Sequence, residues 1–258
     1  MGSNLIKNYK LIHGSTIGHA SVVVRDLMTS GKVVPGYSLT PSYITIHNVG
    51  DDDVPGVTWD KALHNANKYG KSGGYRIASW HVTIDYNKIY QEIPFNRVAW
   101  HAGDGKYGKG NRHSIGIENC QYSHDKTKQK LVWENCAALC VELTKEYSIP
   151  TKNIVQHYYW TKKDCPYLLR HKRFGYSWTW FMNLVKEAKP VDTEFKSYVV
   201  RIIVDELNIR TGPGVDNDKV GELHKGDAYT IIEEKNNWGK LKSGAGWISL
   251  SNKYVEKI

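Results

Sequence analysis

Nothing in this chain of 258 residues approaches the length of apolar run needed to cross a bilayer. No charged start leads into an apolar stretch of the kind that marks an export signal. These two absences set the expectation of a soluble chain made in the cytoplasm without a signal peptide. Cysteine is scarce: the four, Cys120, Cys136, Cys140 and Cys165, follow neither the spacing of a structural zinc knuckle nor that of a disulfide framework. Reduced thiols are therefore expected. Acidic residues are short as well, 26 Asp and Glu against 35 Lys and Arg, which leaves a net charge of +9. That surplus favours polyanionic surroundings such as nucleic acid, anionic lipid or an acidic cell wall, and is equally compatible with a solvated surface. Phenylalanine is rare at four, whereas Tyr and Trp number 17 and 9. Most aromatic surface thus carries a hydrogen-bonding tip, which suits grooves for carbohydrate or peptide.

What is present is organised around Gln156-His157-Tyr158-Tyr159-Trp160-Thr161-Lys162-Lys163-Asp164-Cys165-Pro166. A catalytic zinc takes three protein ligands from His, Cys and carboxylate and keeps a fourth position open. His157 and Cys165 offer two of the three. Side chains two apart in an extended segment project to the same side, so Lys163 is expected to point where Cys165 points, as a cation for an oxyanion. The bland alternative is a surface loop with an incidental His and a buried Cys.

Upstream, Tyr43-Ile44-Thr45-Ile46-His47 alternates as a strand does, which places His47 at its carboxyl end, where open α/β sheets carry their sites. A loop is expected over 48–56. A helix follows, capped by Thr58 and carrying Trp59, Leu63, Ala66 and Tyr69 at helical spacing until Gly70, Gly73 and Gly74. Residues 79–93 read as a hairpin turning at Tyr86-Asn87-Lys88, and 104–112 as a Gly- and Lys-rich loop. The strand over 114–120 puts Glu118 on one face with Ser114, Gly116 and Cys120. A stripe of Val132, Cys136, Leu139, Cys140, Leu143 and Tyr147 predicts a helix over 131–147, so Cys136 and Cys140 are read as core. A last amphipathic helix is predicted from Trp178 to about residue 188. Residues 1–40 yield only a short strand over 20–24. The predicted fold class is α/β, a mixed central sheet flanked by helices.

A charged stretch without apolar period, 186–197, reads as a linker. Beyond it lie short β runs at 198–204, 207–210, 229–233, 238–241 and 246–248, which predict a small all-β, SH3-like barrel. The expected domains are 1–185, with 1–40 an extension of open role, a linker at 186–197, and 198–258.

Three candidate ligands thus emerge, His47, His157 and Cys165, with Glu118 the odd carboxylate in an apolar strand. A metal lowers the pKa of its water, a carboxylate can pass the proton to a leaving amine, and Lys163 would hold the oxyanion. Such a set is an apparatus for metal-assisted amide hydrolysis. Taken singly, His47 also reads as a structural histidine and Glu118 as the partner of Arg112. Lys162 competes with Lys163, whose place two before Cys165 favours it.

The order and type of Ile46-His47-Asn48, Trp80-His81-Val82, Ala99-Trp100-His101-Ala102-Gly103, Ser114-Ile115-Gly116-Ile117-Glu118, His157 and Lys163-Asp164-Cys165-Pro166 carry a resemblance over roughly residues 40–190. They look like the zinc-dependent N-acetylmuramoyl-L-alanine amidases, the group that includes the peptidoglycan recognition proteins. The resemblance implies Zn2+ held by His47, His157 and Cys165, Glu118 as catalytic acid and base, and Lys163 as transition-state cation. Some relatives carry Asp in place of Cys165, and thiolate is the softer, fully acceptable zinc ligand. Several carry Tyr where this chain has Trp80, so a phenolic donor is missing. His81, His101 and Trp80 stand as candidate substrate contacts, the two histidines reading equally as structural.

Leu207-Asn208-Ile209-Arg210-Thr211-Gly212-Pro213-Gly214, with Trp238-Gly239-Lys240-Leu241 and Gly246-Trp247-Ile248, looks like a bacterial SH3-type cell-wall-binding domain. An amidase followed by such a domain is similar to the endolysins of phages of Gram-positive bacteria. The implied partner is bacterial peptidoglycan, cleaved between N-acetylmuramic acid and L-alanine after release of the enzyme from the host cytoplasm. Neither nucleic acid nor membrane is expected as a partner. The alternatives are a zinc peptidase acting within the stem peptide and a non-catalytic recognition protein, relatives of the latter kind tending to lose a ligand, above all the Cys.

Overall fold

Four isoleucines at alternate positions of two strands, Ile44 and Ile46, Ile115 and Ile117, are fully buried and fix which side of the sheet is core. The computed structural model describes residues 3–70, 78–187, 197–235 and 237–258. The chain divides into two compact units, Met1–Val191 and Asp192–Ile258.

The first unit opens with a small hairpin, β1 (Ile6–Lys7) and β2 (Lys10–Leu11). Its main sheet holds β3 (Thr16–Ile17), β4 (Ala20–Val24), β5 (Tyr43–Asp52), β6 (Val82–Ile84), β7 (Lys88–Gln91), β8 (Ser114–Gln121) and β9 (Ile154–Gln156), in the order β3-β4-β7-β6-β8-β5-β9. The pairs β4 with β7, β6 with β8, β8 with β5 and β5 with β9 are parallel, whereas β3 with β4 and β6 with β7 are antiparallel. The helices are α1 (Gly56–Tyr69), α2 (Lys109–His113), α3 (Lys126–Tyr147), α4 (Tyr158–Thr161), α5 (Tyr167–Arg170) and α6 (Trp178–Glu187). This is the mixed sheet with flanking helices that the periodicities predict.

The isoleucines share one hydrophobic cluster with Val132, Trp133, Cys136, Leu139, Cys140 and Leu143 of α3 and Phe181 and Val185 of α6. Because side chains alternate across a pleated strand, Thr45, His47, Gly116 and Glu118 are turned to the opposite face. All four cysteines are buried free thiols, and Cys136 and Cys140 lie in the core as expected.

Several boundaries differ from expectation, each for a local reason. Strand β5 does not stop at His47, because its ladder with β8 resumes at Asp52 and Gln121 after a register shift past Asn48. Thr58 does not cap α1; the helix starts at Gly56, whose N–H donates at 2.8 Å to Asp85 Oδ2 from the β6–β7 turn. The loop predicted over 104–112 contains α2, whose Gly110 and Asn111 N–H groups donate to the Asp104 carboxylate. Helix α3 begins at Lys126, five residues before 131, because Asp125 accepts from the Lys128 N–H at 3.0 Å as an N-cap. Gly70 ends α1 at φ 83, while Gly73, Gly74 and 188–196 of the predicted linker lie outside the described residues.

The second unit is an antiparallel sheet of β10 (Tyr198–Ile202), β11 (Glu206–Arg210), β12 (Lys219–His224), β13 (Ala228–Lys235), β14 (Trp238–Leu241), β15 (Trp247–Ser249) and β16 (Val255–Lys257), ordered β12-β11-β15-β14-β13-β10-β16. It surrounds a cluster of Val200, Ile202, Leu207, Ile209, Leu223, Ile231, Leu241, Ile248 and Val255. The two terminal strands of this ladder, β12 and β16, were not among the predicted strands. Each buries one apolar side chain, Leu223 or Val255, so neither shows the alternation that reveals a strand. Among the described residues no helix is long and apolar enough to cross a membrane.

Phe181 is fully buried, with its ring 6.1 Å from that of Trp133 in an edge-on pair that ties α6 to α3. Phe181→Ala is expected to destabilise the first unit by about 3–5 kcal/mol, read from urea unfolding. A loss well under 1 kcal/mol would mean that this contact does not anchor α6.

Candidate metal centre

Three adjacent parallel strands deliver the expected residues to one place. His47 on β5 and Glu118 on β8 are register partners and so project from the same face. Strand β9 ends at Gln156 beside Ile46, and His157 continues the ladder by donating its N–H to Ile46 O at 3.2 Å. The chain then makes the single turn α4 and reverses at Lys162 in the left-handed region, φ 63. It returns far enough for the Tyr158 N–H to donate to Cys165 O at 3.1 Å. That closed loop carries the Cys165 thiol back to the two histidines.

His47 Nδ1 and His157 Nδ1 lie 2.9 Å apart, and Cys165 Sγ is 3.9 Å from His47 Nδ1. One donor atom from each residue falls within 4.8 Å of the others, and all three residues are buried. Glu118 Oε1 stands 3.9 Å from His47 Nδ1. Its Oε2 is buried and has no hydrogen-bond partner among the described residues.

Burial dominates the electrostatics. Desolvation, and then the neighbouring His101, His157 and Lys163, hold His47 well below the ordinary histidine range. It is therefore a neutral imidazole with a lone pair to give. Desolvation pushes the Glu118 carboxyl up to about 7 against the opposing pull of Lys163. Burial and then the Glu118 charge push the Cys165 thiol up to about 12, so a cation at that point is what would draw its proton off. Two imidazole nitrogens and one sulfur are the donors that a borderline-soft divalent metal takes. The residues present fit such an ion.

Lys163 is exposed, and its charge bears on His47, Glu118 and Cys165. Lys162 instead lays its Nζ over the Tyr158 ring at 5.1 Å. Asp164 faces away, bonded to Arg170 Nε and His171 Nε2, which lowers its pKa. Arg112, the other partner considered for Glu118, lies over the Tyr37 ring at 4.8 Å.

The three candidate substrate contacts are all buried. His81 is fully buried with both ring nitrogens committed to backbone, Nδ1 accepting from the Gly116 N–H and Nε2 donating to Arg97 O, and burial lowers its pKa to about 4. His101 sits behind His47, its Nδ1 3.1 Å from His47 Nε2. Trp80 is buried and spends its Nε1–H on Thr83 Oγ1 at 2.7 Å. None of the three turns a free polar atom towards the Glu118 side. Sequence reasoning also passed over Asn111, whose Oδ1 accepts the N–H groups of both His101 and Ala102. The one signal for it was an Asn inside a Gly- and Lys-rich stretch.

The family model described as N-acetylmuramoyl-L-alanine amidase matches residues 37–167, just over half of the chain. The chain belongs to the N-acetylmuramoyl-L-alanine amidase family. The amidase match spans His47, Glu118, His157 and Cys165, and a bacterial SH3 domain model matches residues 205–256. XlyA of Bacillus subtilis strain 168, named as an N-acetylmuramoyl-L-alanine amidase, is 42% identical over 145 residues, 56% of this chain and 46% of XlyA. CwlH of the same organism, also named as such an amidase, is 40% identical over 155 residues, 60% of this chain and 56% of CwlH. The chain thus spans about half the length of these two curated relatives. A solved structure of the catalytic domain of XlyA, 32% identical, superposes with a TM-score of 0.55 and covers 64% of this chain and 99% of that one.

The raised Glu118 carboxyl sets a pH dependence. A carboxyl that titrates near 4.5 unfolded and near 7 folded opposes folding once its unfolded form ionises. The cost enters as pH rises above the first value and is complete above the second. In chelator-treated protein, Glu118→Gln should leave the urea midpoint unchanged near pH 4 and raise it at pH 8. An equal shift at both pH values would contradict the burial argument.

Proposed function

We propose that the chain is a zinc-dependent peptidoglycan hydrolase of the endolysin or autolysin kind, cleaving the amide between N-acetylmuramic acid and L-alanine. The reading is carried by one observation, the convergence of His47, His157 and Cys165 within 4.8 Å beside Glu118, in a chain of the amidase family. Ordinary zinc bond lengths in a tetrahedron give donor separations of about 3.3 Å between nitrogens and about 3.6 Å from nitrogen to sulfur. The corresponding separations are 2.9 and 3.9 Å, and two imidazoles with a thiolate are a donor set that zinc takes.

Zinc, when bound, polarises the scissile carbonyl and lowers the pKa of water towards neutrality. Glu118 takes the proton of the attacking water on its carboxylate and returns it to the leaving amine. A carboxyl near 7 can do both at neutral pH. Lys163, exposed beside the site, supplies the positive charge that the developing oxyanion needs. We read residues 1–185 as the catalytic domain, 186–197 as a linker and 198–258 as a cell-wall-binding domain that raises the local concentration of substrate. The net charge of +9 suits a polyanionic wall.

Purified bacterial walls digested with the protein should gain free L-alanine amino termini and no reducing sugar ends, and a chelator should stop the release. A rise in reducing ends would make the enzyme a glycosidase, and new termini within the stem would make it a peptidase. Glu118→Gln should cut turnover by about 10²–10⁴-fold while zinc is retained. His157→Ala should abolish release, yet the variant should still sediment with walls through residues 198–258. Undiminished turnover in either variant would remove the proposed mechanism.

A further inference from the structure

Behind the ligand histidines lies a layer of polar groups with no part in the reaction as proposed. His101 turns its Nε2 to Ser114 O at 3.1 Å. A carbonyl only accepts, so the His101 proton sits on Nε2 and its Nδ1 carries a lone pair. That lone pair faces His47 Nε2 at 3.1 Å, which places the His47 proton on Nε2 and leaves His47 Nδ1 bare. The next carbonyl along the chain, Ala102 O, accepts from His157 Nε2–H at 2.9 Å, so the ring turns its Nδ1 to His47 Nδ1. Two consecutive residues therefore select the tautomer of both histidines. The two Nδ1 atoms face one another, 2.9 Å apart. A metal cation placed between them would be shared by both nitrogens.

The segment that does this is itself clamped. Asn111 Oδ1 accepts the N–H groups of His101 at 2.9 Å and of Ala102 at 2.8 Å. The His101 ring is seated on β8 at Gly116, where a Cβ would lie 2.4 Å from His101 Cγ. Only glycine leaves that space. Gly116 is fixed in turn by His81, whose N–H donates to Gly116 O at 3.0 Å and whose Nδ1 accepts from the Gly116 N–H at 2.9 Å.

We propose that His101, seated on Gly116, is a positioning residue that fixes His47 as a metal ligand through Nδ1, while the adjoining Ala102 carbonyl does the same for His157. The proposal rests on the metal reading of these histidines and adds to it the group that orients them. Hydrogen-bond partners of this kind typically contribute a factor of about 10–100 in metal affinity.

The test is zinc affinity, measured on the full chain by competition with a chromophoric chelator and supported by the absorption spectrum of the Co2+-substituted protein. His101→Phe keeps a ring in the space but removes the lone pair; zinc should bind about 10–100-fold more weakly and the Co2+ bands should shift. His101→Gln keeps one acceptor and one donor and should recover most of the affinity. Gly116→Ala should weaken zinc in the wild-type background and have little further effect in a His101→Ala background, because it acts through the ring. Circular dichroism of each metal-free variant checks the fold, and if His101→Phe does not fold, the Gly116→Ala comparison decides. Wild-type affinity in folded His101→Phe, or equal losses from Gly116→Ala in both backgrounds, would overturn the positioning role and leave the metal reading intact. A wild-type chain that takes up no zinc would overturn both.

Discussion

The parallel register between β5 and β8 is the constraint on which the centre depends. It sets His47 opposite Glu118, and the neighbouring register of β9 places His157 one residue beyond the partner of Ile46. A slip of one residue would turn His47 to the face where Ile44 and Ile46 pack, because side chains alternate with a period of two. The four buried isoleucines oppose such a slip, since it would bring them out of the core. The apolar half of each strand therefore secures the chemistry on the other half.

Burial then decides the protonation of what register has assembled. The same desolvation that keeps His47 neutral lifts Glu118 to about 7 and holds the Cys165 thiol protonated near 12. A neutral imidazole, an unionised thiol and a carboxyl with a buried, unpartnered Oε2 make a costly cluster in isolation. A metal ion held there would relieve part of that cost, coupling ion binding to the stability of this region. On the metal reading, the layer of His101, Ala102 and Asn111 behind the proposed ligands would prepare the cluster for the ion.

Much of this was legible in the sequence because it is periodic or closely spaced. Alternation along residues 43–47 and 114–120 revealed which face Glu118 shares, and the position of Lys163 two before Cys165 separated it from Lys162. The remainder depends on partners distant in sequence. Asp85 supplies to α1 the acceptor that was expected from Thr58, across 29 residues of chain. His101 and His81 carry the same side chain as the proposed ligands, and the difference lies in where their ring nitrogens point, which no spacing encodes. The strands β12 and β16 bury too little apolar surface to show a period. In the second unit, accordingly, the inner strands were readable and the outer two were not.

The central claim is that His47, His157 and Cys165 hold one zinc ion. X-ray absorption at the zinc edge of the loaded protein tests it most directly. The account predicts one sulfur at about 2.3 Å and light atoms, two of them imidazole nitrogens, at about 2.0–2.1 Å, with the sulfur lost in Cys165→Asp. A shell without sulfur in the wild-type protein, or one built of several sulfurs, would contradict it.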